Sequence, residues 1–222
     1  MNEVIIDIKN VSKSFKQSKV LEGISLQLTS GRIYGLVGDN GSGKSVLMKL
    51  ICGFSDADDG EIRVLGRKVS TRQNHHGEIG IIIETPAFIP HYSAKVNLSI
   101  LAGLQGKIGK RKIEDVLSKV GLSNTVRKPV RKFSLGMRQR LAIAQAIMET
   151  PPILLLDEPF NGLDRHGMKD ISNILLALRD EGACILLTSH YSQDIKSLCS
   201  EVYLLENGHI STLDQSIARY PL

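Results

Sequence analysis

The sequence has few cysteines and no long hydrophobic run. No apolar segment approaches the roughly 18–20 residues that a membrane-spanning helix needs, so the chain is not predicted to cross a bilayer. The three cysteines, Cys52, Cys184 and Cys199, are widely spaced and form no CxxC pattern, which argues against a disulfide framework or a structural zinc site. The acidic start of the chain is unlike a secretory signal. We therefore expect a cytoplasmic protein.

The composition is that of a folded globular protein with one basic region. The 222 residues are 42% hydrophobic, which is sufficient for the core of one large α/β domain. Residues 107–140 contain 11 lysines and arginines and two acids, whereas the rest of the chain is slightly acidic. Such a region is typical of proteins that bind nucleic acid, an anionic membrane surface or a phosphate ligand, and a solvated helix face gives the same pattern.

Strand-like runs alternate along the chain with helical stretches. Four short apolar runs are bounded by glycine and polar residues, as in strands that are buried on both faces. They cover residues 33–37, 80–83, 153–156 and 185–188. Because helical stretches separate them, we predict a mostly parallel sheet in an α/β fold. Polar and apolar residues alternate in residues 4–8 and 24–28, which predicts an antiparallel N-terminal sheet.

The middle of the chain is predicted to be helical. Residues 86–150 lack strand signals, and residues 112–120 and 134–150 show helical spacing until a proline pair ends the second helix. We interpret residues 85–150 as a helical subdomain inserted into a single domain that spans the whole chain. Near the end of the chain, Asn207 and Gly208 predict a tight hairpin turn.

Residues 38–45, the phosphate loop, match the pattern GxxxxGK[ST] between a predicted strand and a predicted helix. In such a loop, backbone N–H groups and the helix N-terminus attract phosphate, and Lys44 adds a full positive charge towards the β- and γ-phosphates. We expect Ser45 to offer its hydroxyl to Mg²⁺. The nucleotide-binding residues predicted here are Gly38, Asn40, Gly41, Ser42, Gly43, Lys44, Ser45 and Val46.

Two acids, Asp157 and Glu158, directly follow the apolar run 153–156. Ligands of α/β proteins bind at the carboxyl ends of the parallel strands, where these acids are expected to lie. Asp157 is predicted to hold Mg²⁺ directly or through water, and Glu158 to orient or deprotonate the water that attacks the phosphate. The alternative is an ordinary solvated strand end.

With these motifs in this order, the chain resembles the ATP-binding subunit of an ABC transporter over its whole length. Residues 133–140, FSLGMRQR, are similar to the LSGGQ signature of that family and keep its serine and second glycine as Ser134 and Gly136. Ser134 is also a suitable N-cap for the helix that follows. The resemblance implies that Ser134 and Gly136 contact the γ-phosphate of a nucleotide bound by another subunit.

Three further positions match the family. Residues 161–164, which end at Asp164, correspond to the D-loop; His190 corresponds to the histidine that contacts the γ-phosphate; Phe15 corresponds to the aromatic residue that stacks on adenine. Each residue alone has a plainer interpretation, since Asp164 could cap a helix, His190 could lie at the surface and Phe15 could face the core. Their order and spacing favour the family roles.

Glu84 departs from the family, which normally has glutamine after this strand. Ionised glutamate only accepts hydrogen bonds, and it adds negative charge beside Asp157 and Glu158. We expect Glu84 to take part in the nucleotide and Mg²⁺ site and to slow hydrolysis or alter coupling. In having this glutamate together with an SLGM-type signature, the chain resembles transporters of the bacitracin-resistance and lantibiotic self-immunity group.

The resemblance implies partners as well as chemistry. The expected assembly is a homodimer of nucleotide-binding subunits with two ATP and Mg²⁺ between them, at the inner face of the membrane on separate permease subunits. It would export an antimicrobial peptide or similar amphiphile, and no nucleic acid is expected to bind. Two alternatives remain open: a soluble ABC-type ATPase acting on ribosomes or nucleic acid through the basic region, and a regulatory nucleotide-binding module without turnover.

Overall fold

A computed structural model describes residues 3–16, 18–72, 78–84, 87–123, 127–189 and 198–213. The strands are β1 (Val4–Phe15), β2 (Ser18–Thr29), β3 (Arg32–Val37), β4 (Asp59–Val64), β5 (Arg67–Lys68), β6 (Ile79–Ile82), β7 (Ile153–Leu156), β8 (Cys184–Thr188), β9 (Glu201–Glu206) and β10 (His209–Thr212). The helices are α1 (Lys44–Ile51), α2 (Ala94–Gln105), α3 (Lys110–Lys119), α4 (Leu135–Ile147) and α5 (Arg165–Asp180).

The N-terminal strands form the predicted antiparallel sheet, in the order β2-β1-β4-β5. The alternation in β1 buries Ile6 and Ile8 against the core and leaves the intervening Asp7 partly exposed, as a strand with one covered face requires. The sequence did not predict β4 and β5. Their many charged residues give a weak strand signal. Pairing with β1 holds β4 in the sheet, and pairing with β4 holds β5.

The second sheet is mostly parallel and has the order β10-β9-β3-β8-β7-β6. It contains the four predicted strands, each within one residue of the expected bounds. Successive residues of a strand point to opposite faces. Leu154 and Leu156 therefore pack in one core with the helices, and Ile153 and Leu155 pack in a second core with α1 and the N-terminal sheet. Burial on both faces explains the continuous apolar run.

Three helices, α2, α3 and α4, lie in sequence between β6 and β7. The helix expected at 112–120 is α3, and the one expected at 134–150 is α4, which is shorter by a few residues at its C-terminal end. Thr150 has a positive φ of 54° just beyond that end, before the proline pair. In the portions of the chain that the structure covers, no helix is both long and apolar enough to cross a membrane.

The turn between β9 and β10 is the predicted hairpin turn. Asn207 and Gly208 both have positive φ, 50° and 80°, as a type I′ turn requires. The three cysteines are free, and burial raises the pKa of each thiol to about 12. They are therefore protonated and unreactive near neutral pH, in agreement with a packing role.

Candidate functional site

The phosphate loop connects the end of β3 to the start of α1 and lies against the β9–β10 hairpin. A Cβ atom at Gly38 would lie 2.2 Å from the backbone oxygen of Leu205, so only glycine fits there. Gly43 has a φ of 107° and occupies the N-cap position of α1, where no side chain caps the helix. The first N–H groups of α1 are thus left for a ligand.

Lys44 is buried and points back into its own loop. Its Nζ donates to the backbone oxygens of Gly38, at 2.6 Å, and Asp39, at 2.9 Å. An ammonium has three hydrogens, so one remains for a phosphate oxygen. Burial lowers the pKa of Lys44, and the negative charges of Glu158, Asp157 and Asp39 oppose that shift.

Asp157 is held by hydroxyl groups from two other elements. Ser45 Oγ donates to its Oδ2 and Thr188 Oγ1 donates to its Oδ1, both at 2.7 Å. Thr188 Oγ1 also accepts from the backbone N–H of Glu158 at 2.9 Å. The structure therefore brings Ser45 and Asp157 together as the sequence suggested, and it adds Thr188. The sequence feature that could have indicated Thr188 is its position as the one polar residue at the end of an apolar, buried strand.

Glu158 lies next to Asp157 in a cavity of about 250 Å³ beside the end of β7. The cavity is lined by Glu84, Phe88, Leu135, Arg138, Gln139, Asp157, Glu158 and Asn161. Gln139, on α4, donates from Nε2 to the backbone oxygens of Glu158 and Pro159, at 3.1 and 3.0 Å. This contact joins the helix of the signature segment, residues 133–140, to the segment that carries Glu158.

Glu84 lies at the rim of the same cavity, just beyond β6. Its side chain is 68% exposed, and its carboxylate accepts from Lys49 Nζ of α1 at 2.5 Å. Its φ of 61° is in the left-handed region. The structure thus brings Glu84 near Asp157 and Glu158, with Lys49 as its ion-pair partner. That it binds nucleotide or Mg²⁺ stays a prediction.

The signature segment packs on the D-loop segment, residues 161–164, of the same chain. A Cβ at Gly136 would lie 2.7 Å from the Gly162 oxygen, and the Leu135 side chain covers Gly162. Ser134 caps α4 by accepting from the Met137 N–H at 3.2 Å. Ser134 and Leu135 are exposed, and so is Gly162. These residues together form an exposed surface.

The plainer interpretation agrees with the structure for Asp164 but not for Phe15. Asp164 does cap α5, because its Oδ1 accepts from the Gly167 N–H at 2.8 Å. The core-facing interpretation of Phe15 is wrong, since its side chain is 49% exposed. Lys13 Nζ lies 5.6 Å from the centroid of the Phe15 ring. His190 lies outside the described residues.

A second cavity, of about 490 Å³, opens beside the phosphate loop. It is lined by Asp39, Asn40, Gly41 and Ser42 of the loop, by residues 18–20 and by residues 205–208. The Ser42 hydroxyl is buried and has no partner among the described residues. Val46, the third residue of α1, is partly buried against the core. Among the described residues, Ser134 and Gly136 line neither cavity.

These features fit a nucleoside triphosphate with Mg²⁺. The Ser42 hydroxyl, the third Lys44 hydrogen and the first N–H groups of α1 are donors without a protein acceptor in the covered part of the chain, as a phosphate site needs. Within the described residues, no group of three or more His, Cys, Asp or Glu is placed to hold a metal. Mg²⁺ suits this arrangement because it uses one or two protein ligands together with phosphates and water.

Comparison with known proteins agrees with this geometry. A family model described as ABC transporter matches residues 21–161. The chain belongs to this family. It is 40% identical to YybJ, an uncharacterized ABC transporter ATP-binding protein of Bacillus subtilis (strain 168), over 96% of this chain and 98% of that protein. It is therefore the ATP-binding and ATP-hydrolysing subunit of an ABC transporter, and the alternative of a ribosome-directed or nucleic-acid-directed ATPase is not favoured.

Two further relatives have names that include a transported compound. The bacitracin transport ATP-binding protein BcrA of Enterococcus faecalis is 38% identical, over 94% of this chain and 68% of its own length. The lantibiotic transport ATP-binding protein SrtF of Streptococcus pyogenes is 35% identical, over 93% of this chain and 89% of its own length. The resemblance to the bacitracin and lantibiotic group is thus confirmed.

Solved structures of the family share the fold. An ATP-binding subunit of an ABC transporter matches with a TM-score of 0.86 and 27% identity, covering 95% of this chain and 90% of that chain. A nucleotide-free ATP-binding cassette matches with a TM-score of 0.82 and 25% identity, covering 94% and 90%. ATP-binding subunits of this family generally dimerise and pair with membrane permeases.

Proposed function

We propose that a homodimer of this chain, with Mg²⁺ and ATP at two sites, drives separate permease subunits that export an antimicrobial peptide or similar amphiphile. The observation that supports this substrate class is the similarity to the bacitracin and lantibiotic transport proteins over nearly the whole chain. The dimer would bind the permease at the cytoplasmic face of the membrane.

Each ATP would be bound mainly by the phosphate loop of one chain. Lys44 offers its third hydrogen to the phosphates, and the Ser42 hydroxyl and the N-terminus of α1 add further donors. Ser45 and Asp157 would hold Mg²⁺, which would supply neutralisation of the phosphate charge. Glu158 lies beside Asp157 and would orient the attacking water or accept its proton.

The dimer is supported by where the signature segment lies. Ser134 is exposed and lines neither cavity, so it contributes nothing to the phosphate loop of its own chain as the structure describes it. The Ser134 oxygen accepts from Met137, which leaves its hydroxyl hydrogen free to donate at the N-terminus of α4. A second copy would bring its phosphate loop to this surface, with the partner's nucleotide between them. His190 would add a further γ-phosphate contact.

Permease binding is supported by an apolar surface on the helical part of the chain. Ile89, Tyr92, Val96 and Ile100, the α2 surface, are each between 42 and 47% exposed. The basic segment 127–132 is attached to it, since Val130 and Arg131 donate backbone hydrogen bonds, both at 2.9 Å, to Tyr92 and Pro90. An apolar patch bordered by cations suits a cytoplasmic permease segment beside anionic lipid headgroups.

The test is affinity purification of the chain from its own cells in mild detergent, followed by mass spectrometry. Small polytopic permeases should be recovered with the wild type and lost with Val96→Asp. Reversing the charges of Lys128, Arg131 and Lys132 together should reduce recovery in the membrane fraction. Recovery of ribosomes, or of no membrane protein when a control membrane complex survives, would contradict the proposal.

The substrate class needs a second measurement. A strain without the chain should show lower tolerance of bacitracin or a lantibiotic, and the wild type should restore it. Lys44→Met should retain the permease in the purification yet fail to restore tolerance, because it removes ATP binding only. Unchanged tolerance in the deletion strain towards every peptide antibiotic tried would reject peptide export and leave the ATPase assignment intact.

A further inference from the structure

Glu158 has a backbone conformation that glutamate seldom adopts. Its φ is 50°, in the left-handed region, where an L-residue brings its Cβ close to its own carbonyl oxygen. Such conformations persist only when the surrounding structure holds them, and they concentrate at functional sites. Because Glu158 directly follows the core strand β7, this conformation decides where its carboxylate points.

Both peptide groups of Glu158 are held by side chains from other elements. On one side, its N–H donates to Thr188 Oγ1 at 2.9 Å. On the other side, Gln139 Nε2 donates to the Glu158 oxygen at 3.1 Å and the Pro159 oxygen at 3.0 Å. Two carbonyl oxygens can accept only from the NH₂ group, so the amide orientation of Gln139 is fixed.

We propose that Gln139 is a positioning residue for ATP hydrolysis, which acts by holding the peptide groups after Glu158 and thereby aiming the Glu158 carboxylate. This inference rests on the role proposed above for Glu158. Thr188 belongs to the buried strand β8, whereas Gln139 belongs to α4 and lies five residues, about one and a half helical turns, after Ser134. Movement of α4 at its exposed N-terminus therefore reaches Glu158 through Gln139.

The principal test replaces Gln139 and measures kcat and KM for ATP. Gln139→Leu keeps a similar volume and removes both donors; Gln139→Glu keeps the shape and places a carboxylate against two carbonyl oxygens. We expect Gln139→Leu to lower kcat by 10-fold up to about 100-fold and Gln139→Glu to lower it further, because small misplacements of a reacting group have effects of that size. KM should stay within about twofold, because the phosphate loop is unchanged.

Gln145 provides matched controls, since it lies on the same helix and does not line the Glu158 cavity. Gln145→Leu and Gln145→Glu should leave kcat near the wild-type value. If the Gln139 variants do not differ from them in kcat, the proposal is overturned. If Gln139→Leu fails to fold in a thermal unfolding measurement, the comparison of Gln139→Glu with Gln145→Glu decides.

A second measurement separates positioning of Glu158 from damage to α4. In a Glu158→Gln background, ATP should trap a dimer that size-exclusion chromatography detects, and adding Gln139→Leu should leave this dimer intact. Loss of the dimer would overturn the proposal, because the N-terminus of α4 would then be disturbed directly. Normal hydrolysis by Glu158→Gln alone would refute the catalytic role of Glu158 whatever the Gln139 variants do, so the two failures are distinct.

Discussion

The phosphate-loop region and the signature region present their polar groups in opposite ways. In the first, Lys44 is buried and bonded to its own loop, and both carboxylate oxygens of Asp157 accept hydroxyl hydrogens. In the second, Ser134 and Leu135 lie at the surface against Gly162 of the same chain. The first region is organised within one chain, whereas the second lies at the surface and is covered by another molecule in the dimer that we propose.

This difference has an electrostatic side. The charges of Glu158, Asp157 and Asp39 partly offset the cost of burying Lys44. A bound nucleotide adds negative charge at the same place, so the binding region must already hold its cations and donors in position. The N-terminus of α4 presents donors and partial positive charge but no buried ion pair, so it can approach an anion from outside at little cost.

Lys44→Met should have the largest effect, because it removes the only full charge in the phosphate loop apart from Asp39. It also leaves the Gly38 and Asp39 oxygens without that donor. We expect ATP affinity and hydrolysis to fall by at least about 100-fold, as when a preorganised donor is removed from a reacting centre. Equilibrium binding of a fluorescent ATP analogue measures this. Lys119→Met, an exposed change on α3, is the control, and normal binding by Lys44→Met would contradict the assignment.

Glu158→Gln should affect hydrolysis but not ATP binding. Without a carboxylate to accept a proton, kcat should fall by about 10²–10⁴-fold. Because Lys44, Ser45 and Asp157 are unchanged, ATP should still bind and should now accumulate in a stable dimer. Steady-state phosphate release and size-exclusion chromatography with ATP measure the two parts. Near-normal turnover would remove Glu158 from its role.

Leu135→Asp tests the exposed half of the comparison. Leu135 is 54% exposed and lies beside Ser134 at the N-terminus of α4. A carboxylate there would repel the partner's nucleotide, so we expect the ATP-trapped dimer of the Glu158→Gln background to be lost. Binding of ATP to the monomer should change little. Leu104→Asp is the control, because Leu104 is 79% exposed on α2 and lines neither site cavity. Equal loss of the dimer in both variants would contradict the interface.

The elements of the fold differ in how well the sequence predicted them. The strand β7 was predicted with its observed bounds, because burial on both faces leaves a continuous apolar run between a proline pair and Asp157. The helix α2 was not predicted as a separate element. It buries Ala94 and Leu98 but also exposes Val96 and Ile100, so its apolar residues do not form one stripe. We attribute the exposed side to the permease proposed above, which a single sequence does not contain.

Site contacts between distant parts of the chain were also missed. Thr188 is 31 residues from Asp157, and Lys49 is 35 residues from Glu84, so no local pattern links them. Motifs predicted residues that the structure brings together, such as Ser45 and Asp157, because phosphate and Mg²⁺ demand particular groups at fixed spacing. The supporting contacts follow from strand order and helix packing, and only the folded chain displays them.

Glu84→Gln should give the smallest change, because Glu84 lies at the edge of the site, where it pairs with Lys49 of α1. Removing negative charge beside Asp157 and Glu158 should raise basal ATPase activity, and Lys49 already offsets part of that charge. Because the Lys49–Glu84 pair is exposed, its coupling is on the order of 0.2–1 kcal/mol, so we expect an increase of no more than about fivefold.

Lys49 and a second exposed ion pair make this prediction specific. Lys49→Met should lower basal activity, since no cation would then offset the negative charge of Glu84. Adding Glu84→Gln should reverse that loss. Glu114→Gln breaks the exposed Lys95–Glu114 pair on α2 and α3 in the same chemical way and should leave the rate unchanged. If Glu84→Gln behaves like Glu114→Gln, the hypothesis that the Glu84 charge slows hydrolysis is contradicted.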